Sequence, residues 1–399
     1  MNKIYLLISV LTIQILNANL IDNFLHIDFN KDSSNNLLLD KKFDHNYIDK
    51  ARINIEHSHF SDVERDYTIR LYTKSFSQVD NEEKIYNLNK KLYQEEIYLQ
   101  KMDLIKDRYK VLIETMYQNR LLHVLLEEMN FKQNSLDMKK SLLEKESDII
   151  TLYEIKKSIN NIELAQLKEQ RKYQKLLYKI QRILKIENLF TIRREINQHI
   201  FLDPYKIMDY INQNMGSFPK SNINIFSKSN ISKLELAKEK MRSENIKQKM
   251  KLDNIEMKFD DSKKSKNALS VGLSIEIPMA KNSTNILKEQ LKIFNIQNKI
   301  EKIESNLNDK IIELTQDIKS LINYFKKVDI QKSKINIKNK KNSYPIKFLL
   351  SIKKQHLKFE KEKTKTLYQI LNKYVTLLYL TNQLETSDFK DILKNKRVY

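Results

Sequence analysis

His57 and His59 flank Ser58 within a run of alternating β-formers, a spacing that places two imidazoles on one strand face and can bind a metal. Two ligands with no cysteine or carboxylate partner beside them make an incomplete set, so both are read as ordinary strand positions and no metal site is assigned. Glu95-Glu96 and Glu127-Glu128 are adjacent carboxylates. Neighbours on a helix diverge by about 100° and cannot share the two sides of one reacting bond, so neither pair forms an acid/base couple. The 2 glycines, Gly216 and Gly272, stand apart, so no glycine-rich phosphate loop exists. Neither a nucleophile elbow nor an HExxH zinc motif occurs. The chain reads as a non-enzyme with no cofactor.

What remains is pattern, and the elements that carry it. The chain has 399 residues but only 2 Gly and 4 Pro, too few punctuators for many short elements, so long helices are predicted. Hydrophobic residues make up 41% while mean hydropathy is negative, which suits helix seams better than one large core. An elongated chain is expected. The net charge of +21 would suit nucleic acid, but the lysines are spread over helix faces among abundant Asn and Ile, as in an AT-rich genome. They read as solvated faces, with no nucleic-acid partner.

Residues 1–18 read as a secretory signal peptide: Lys3 gives a positive start, Ile4 to Leu16 an apolar stretch, and Ala18 a small residue for cleavage. No later segment reaches the ~18 to 20 apolar residues of a spanning helix, so any spanning structure must be β. The absence of cysteine excludes disulfides, thiolate metal sites and a lipidated cysteine.

Residues 19–51 are polar and poorly patterned. A first repeat is predicted over 52–187. It opens with a hairpin at 52–76, where Ile53 and Ile55, then Ile69 and Leu71, alternate with polar residues. Helices follow at 81–140, on a seam from Ile85 through Met116, and at 148–186. Residues 188–230, with Pro204, Gly216 and Pro219, read as a linker holding one short helix near 205–212. A second repeat covers 231–386: a helix at 231–251, a hairpin at 253–279, and helices at 282–340 and 346–384, with a tail at 387–399. Its strands place Ile255 and Met257, then Leu269, Val271, Leu273, Ile275 and Ile277, on one face. The two repeats match element for element, which marks an internal duplication.

Alternating strands of nine to twelve residues suit a tilted crossing of an outer membrane. Four strands cannot close alone, and lipid tolerates no open sheet edge, so several copies would have to share a barrel.

Ser270-Val271-Gly272-Leu273-Ser274-Ile275-Glu276-Ile277-Pro278-Met279, preceded by a helix and a polar turn and followed by a long helix, resembles the second-repeat strand of TolC-like outer-membrane efflux proteins, the outer membrane factors. The break before the return helix at Asn342 to Ile352, with a counterpart at Glu146 to Ile155, is similar to the same family. The resemblance runs from Arg52 to Leu384 as architecture rather than identity. It implies a mainly α fold with a small membrane β part, in which long coiled-coil helices form an α-barrel and the two hairpins of each chain join a trimeric 12-stranded β-barrel. It further implies a homotrimer in the outer membrane of a Gram-negative bacterium, with most of the chain in the periplasm. The partners implied are outer-membrane lipid, a periplasmic adaptor (membrane fusion protein) and an inner-membrane pump. The activity implied is passive passage of small molecules or proteins, in efflux or type I secretion.

The same resemblance places the periplasmic tunnel end at Ile149, Thr151, Ile346, Lys347, Phe348 and Ser351. Carboxylates often constrict that end in the family. Here Ile346 to Ser351 is followed by Lys353 and Lys354, so a basic or apolar mouth is expected. Two departures stand out: the helix expected before the first hairpin is nearly absent, and Ala280 and Lys281 replace the glycines usual after the strand. An exported coiled-coil scaffold, or a periplasmic adaptor with soluble hairpins, remains the alternative.

Overall fold

The computed structural model describes residues 24–25, 41–58, 64–140, 147–186, 188–201, 203–214, 225–249, 251–261, 268–277, 283–338, 346–384 and 393–395. The signal peptide, His59, Gly216, Pro219 and residues 278–281 lie outside them. The elements in chain order are β1 (Ile48–Ser58), β2 (Glu64–Thr73), α1 (Phe76–Lys140), α2 (Ser147–Leu184), α3 (Leu189–Gln198), β3 (His199–Phe201), α4 (Pro204–Asn214), α5 (Ile225–Lys247), β4 (Lys251–Asp261), β5 (Ala268–Glu276), α6 (Ser283–Lys338), α7 (Ile346–Leu380) and β6 (Leu393–Asn395).

Local chemistry sets the boundaries. The Ser75 N–H donates to Gln78 Oε1 at 2.8 Å and the Gln78 N–H donates back to Ser75 Oγ at 3.3 Å. This reciprocal capping box starts α1 at Phe76, five residues before the period alone suggests. Asn188 and Asp203 cap α3 and α4 through the N–H groups of Phe190 and Tyr205, with Pro204 at the first position of α4, where a missing N–H does no harm. With glycine so scarce, non-glycine residues end the helices. Lys185 and Asn382 take positive φ, and the N–H groups of Ile186 and Gln383 donate to the carbonyls of Gln181 and Leu378.

Of the stretch expected as a linker, residues 188–214 hold α3, β3 and α4, and Ile225 already opens α5. The tail expected over 387–399 supplies β6, antiparallel to β3. The short helix expected near 205–212 is α4, whereas α3 and the three-residue strands are too short to show a clear period and were not expected. The helix expected at 231–251 starts earlier, at Ile225, and ends at Lys247, because Lys251 already belongs to β4.

Contacts divide the chain into two compact units, and both sequence repeats contribute to each. In the first (Met1–Asp28, Gln100–Asn224, Asn306–Tyr399), Val111, Leu112 and Met116 of α1 meet Tyr173, Leu177 and Ile180 of α2, Ile192 and Ile196 of α3, and Phe24. Elsewhere in this unit Ile207 and Ile211 of α4, Ile318 and Ile322 of α6, and Ile370, Leu371 and Val375 of α7 are sealed from solvent. Tyr205 lies 6.5 Å from Phe325 and Tyr210 lies 6.0 Å from Tyr374, ring to ring. Each such aliphatic side chain contributes roughly 1.5 to 3 kcal/mol by leaving water.

The second unit (Phe29–Leu99, Ile225–Ser305) holds the sheet and the helix segments nearest it. Helix α5 lies antiparallel to α1. Asn81 donates to Glu239 Oε2 at 2.8 Å, Lys91 lies 3.4 Å from Glu235, Ser232 Oγ donates to Glu95 at 3.1 Å, and Lys233 lies 3.6 Å from Glu96. The Glu95-Glu96 pair is thus occupied in helix pairing.

Candidate membrane face and tunnel end

β1, β2, β4 and β5 form one antiparallel sheet in that order, so the hairpins of the two repeats join side by side through β2 and β4. The registers align three apolar rows across all four strands: Ala51–Leu71–Ile255–Leu273, Ile53–Ile69–Met257–Val271 and Ile55–Tyr67–Phe259–Leu269. Directly opposed residues point to the same side, so these rows make one apolar face. The band is exposed: Leu269, Val271, Leu273, Ile275 and Ile277 each show 59% to 69% of their surface.

The opposite face is polar, with Lys50, Arg52, Asn54, Thr68, Arg70, Tyr72, Asn254, Glu256, Lys258, Ser270, Gly272 and Ser274 in register. Arg70 Nε lies 2.8 Å from Glu256, Lys251 Nζ lies 3.1 Å from Glu276, and Lys50 sits over the Tyr72 ring at 4.4 Å. Tyr67 shares the apolar side with Phe259, 6.4 Å away, whereas Tyr72 belongs to the polar side. Thr68 and Asn254, on that polar side, are nearly buried. A soluble sheet does the reverse, burying its apolar side against a core.

Each hairpin's first strand is bulged near its start. Register shifts between Ile48 and Lys50 and between Leu252 and Asn254, leaving Asp49 and Asp253 as the extra residues. Each bulge reverses the alternation, so Ile48 falls opposite Thr73 and Leu252 opposite Ile275, on the apolar side. The strands therefore begin at Ile48 and Lys251, ahead of the boundaries expected from simple alternation at 52 and 253. The outer edges, β1 and β5, have no partner strand among the described residues.

No family profile and no curated protein matches this sequence. Solved structures do match the fold. The open-state MtrE outer membrane channel of Neisseria gonorrhoeae superimposes with a TM-score of 0.65 at 10% identity, over 92% of this chain and 89% of that one. The outer membrane protein VceC of Vibrio cholerae gives 0.65 at 8% identity, over 92% and 96%. The Campylobacter jejuni CmeC outer membrane channel gives 0.62 at 9% identity, over 96% and 90%. The chain has the TolC-like fold.

Within this TolC-like fold, Ile149 and Thr151 lie in the first turns of α2, with Ile149 well exposed. Ile346, Lys347, Phe348 and Ser351 lie in the first turns of α7, where the Ser351 hydroxyl donates to the Phe348 carbonyl at 2.8 Å. The opening turns of α7 lie beside the end of α1, and Leu350 and Lys353 line a cavity of about 460 Å³ with Glu127, Asn130, Phe131 and Met138. Glu127 thus brings a carboxylate beside Lys353, a neighbour that the α7 segment alone does not reveal. Its companion Glu128 is ion-paired with Lys361.

One turn further along α7, His356 Nδ1 is buried without a hydrogen-bond partner. Burial, with help from Lys332, holds the His356 imidazole below the ordinary histidine range. Burial pushes the neighbouring Glu360 carboxyl up, but its hydrogen bond and ion pair with Lys332 outweigh this and hold it below the ordinary glutamate range. His57 lies in β1 opposite Arg65, and no cluster of three or more metal-ligating side chains occurs among the described residues. No helix among them is long and apolar enough to cross a membrane.

Proposed function

We propose that this chain is one subunit of an outer-membrane channel giving passive passage from the periplasm to the exterior in a Gram-negative bacterium. The observation that carries the proposal is the exposed, in-register apolar band with a polar face behind it. In lipid that band is satisfied, and the polar face then lines a wet lumen. Unpaired strand edges are intolerable in hydrocarbon, so β5 of one copy must pair with β1 of the next. Two copies give eight strands and three give twelve; the TolC-like architecture favours three.

On this proposal α1, α2, α5, α6 and α7 form the periplasmic tunnel wall, with Ile149, Thr151, Ile346, Lys347, Phe348 and Ser351 at its inner end. A basic or apolar mouth, tempered by Glu127, would set its selectivity. The channel works passively, in efflux or type I secretion, and an inner-membrane pump delivers substrate through a periplasmic adaptor. The neighbours' description as outer membrane channels supports this role.

The test is fractionation followed by reconstitution. A channel is recovered from the outer membrane as a trimer that survives mild detergent and conducts ions in a planar bilayer. Recovery as a soluble periplasmic monomer would instead favour an exported scaffold or adaptor.

A further inference from the structure

The two bulges align Asp49 with Asp253, and so compare what precedes β1 with what precedes β4. Before β4 stands helix α5, whose Glu244 accepts a hydrogen bond from Asn285 of α6 at 3.2 Å. Before β1, residues 41–47 carry no helix. They run as a strap along the first turns of α1. The Tyr86 hydroxyl donates to the Lys41 carbonyl at 2.7 Å, and the Phe43 ring lies 5.7 Å from that of Tyr86. His45 Nε2 lies 3.1 Å from Glu83, and the Lys74 N–H donates to the Tyr47 carbonyl at 2.8 Å. Tyr47 packs on Phe76, ring to ring at 5.1 Å. From Phe76 to Tyr86 the strap follows about 15 Å of helix.

Helix α6 shows the complementary feature. Near its start one stripe, Ile286, Ile293 and Ile296, is half-buried. A second stripe, Leu287, Leu291 and Phe294, is 57%, 55% and 58% exposed. An apolar row at i, i+4 and i+7 is a packing surface awaiting a partner.

Chain connectivity names that partner. The strap continues directly into edge strand β1, and edge strand β5 continues through residues 277–282 into α6. Wherever β5 of one copy pairs with β1 of the next, α6 of the first therefore stands beside the strap of the second. The levels agree. Asn285 bonds to Glu244 and Asn81 to Glu239 in the antiparallel α5–α1 pair, which puts Asn285 near the level of Phe76, so Leu287 to Phe294 span the turns up to Tyr86 that the strap follows.

We infer that the strap, with Phe43 packed against Tyr86, is the docking surface for Leu287, Leu291 and Phe294 of the adjacent copy, closing the ring where residues 41–47 lead into β1 without a helix. This inference rests on the shared-barrel proposal above.

The chain's lack of cysteine makes the test direct, since introduced thiols are the only ones present. Full-length protein carrying Phe43→Cys and Leu291→Cys is oxidised in membranes. The expected result is that most of it runs as cross-linked dimer and trimer, and that neither single variant does so. Asp44→Cys with Lys288→Cys, both at exposed positions, guards against loss of folding from removing Phe43. The oligomer mass is measured on the same unoxidised protein. A trimer in which neither pair cross-links between copies, or in which the bond forms within one copy, overturns the strap inference and leaves the shared barrel standing. A monomer overturns both.

Discussion

Arg70 Nε lies 2.8 Å from the carboxylate of Glu256, and the two residues come from different halves of the duplicated chain. Their ion pair crosses the seam between β2 and β4 on the polar side of the sheet. In a shared barrel that side lines the lumen, so Glu256→Gln leaves an unpaired cation there and Arg70→Gln an unpaired anion. Reversal potentials in planar bilayers should shift towards anion preference in the first variant and towards cation preference in the second. Identical potentials for both would place the pair outside the conducting path.

The apolar rows predict a graded cost of charge. Val271 lies in the row with Ile53, Ile69 and Met257, midway along the strands, whereas Ile275 lies at the bulge level near the helices. Val271→Arg should destabilise the assembled barrel by roughly 2 to 4 kcal/mol, and Ile275→Arg by about 0 to 1 kcal/mol, nearer the interface. Ser274→Arg, on the polar side, should insert normally. Heat resistance of the oligomer on gels after outer-membrane fractionation orders the three.

The bulge at Asp253 predicts tolerance both of a changed side chain and of loss of the residue. Asp253→Asn keeps the two-against-one register and should stay within about 0.5 kcal/mol of the parent. Deleting Asp253 removes the bulge but leaves Leu252 opposite Ile275 on the apolar side, so assembled oligomer should persist in outer-membrane fractions with only the local bend of β4 lost.

His356 and Glu360 predict sensitivity to acid. Both are held below their ordinary pKa ranges, so the fold binds fewer protons there than the unfolded chain does. Their contributions are complete above the unfolded values. They fade as pH falls, His356 first, below about 6.5, and Glu360 below about 4.3. Lys332, Lys353, Glu127 and Glu360 are the charged groups acting on His356. His356→Gln should flatten the dependence of thermal stability on pH between about 7 and 5 and, because His356 also lowers Glu360, weaken the lower step slightly.

Leu371 of α7 is wholly buried, and Leu371→Ala should cost about 2 to 5 kcal/mol. Thermal unfolding followed by circular dichroism measures it.

The long helices were legible because their seams repeat: Met102, Ile105, Tyr109, Leu112 and Met116 are all buried, at the spacing the sequence displays. Ile53, Ile69, Val271 and their neighbours were legible as strand faces for the same reason. Ile48 and Leu252 were not, because a bulge reverses parity beside each and erases the alternation that would have shown them. The start of α1 was missed, because the periodicity points only to a later residue, whereas the Ser75 and Gln78 pair that caps it is a local signal outside that period. The β3–β6 pair was not, since it joins residues almost two hundred positions apart through three residues each. Glu127 beside Lys353 depends on α1 meeting α7, and no local spacing encodes such a meeting.

The bare edges of the sheet bear on inheritance as well as on folding. A ring that closes only through neighbouring copies cannot be repaired by one good copy beside a damaged one. A variant crippled at β1 alone still offers a sound β5 and would be drawn into mixed rings, blocking them. Damage confined to one edge should therefore be dominant over the intact gene, whereas damage that prevents the chain from folding at all should be recessive.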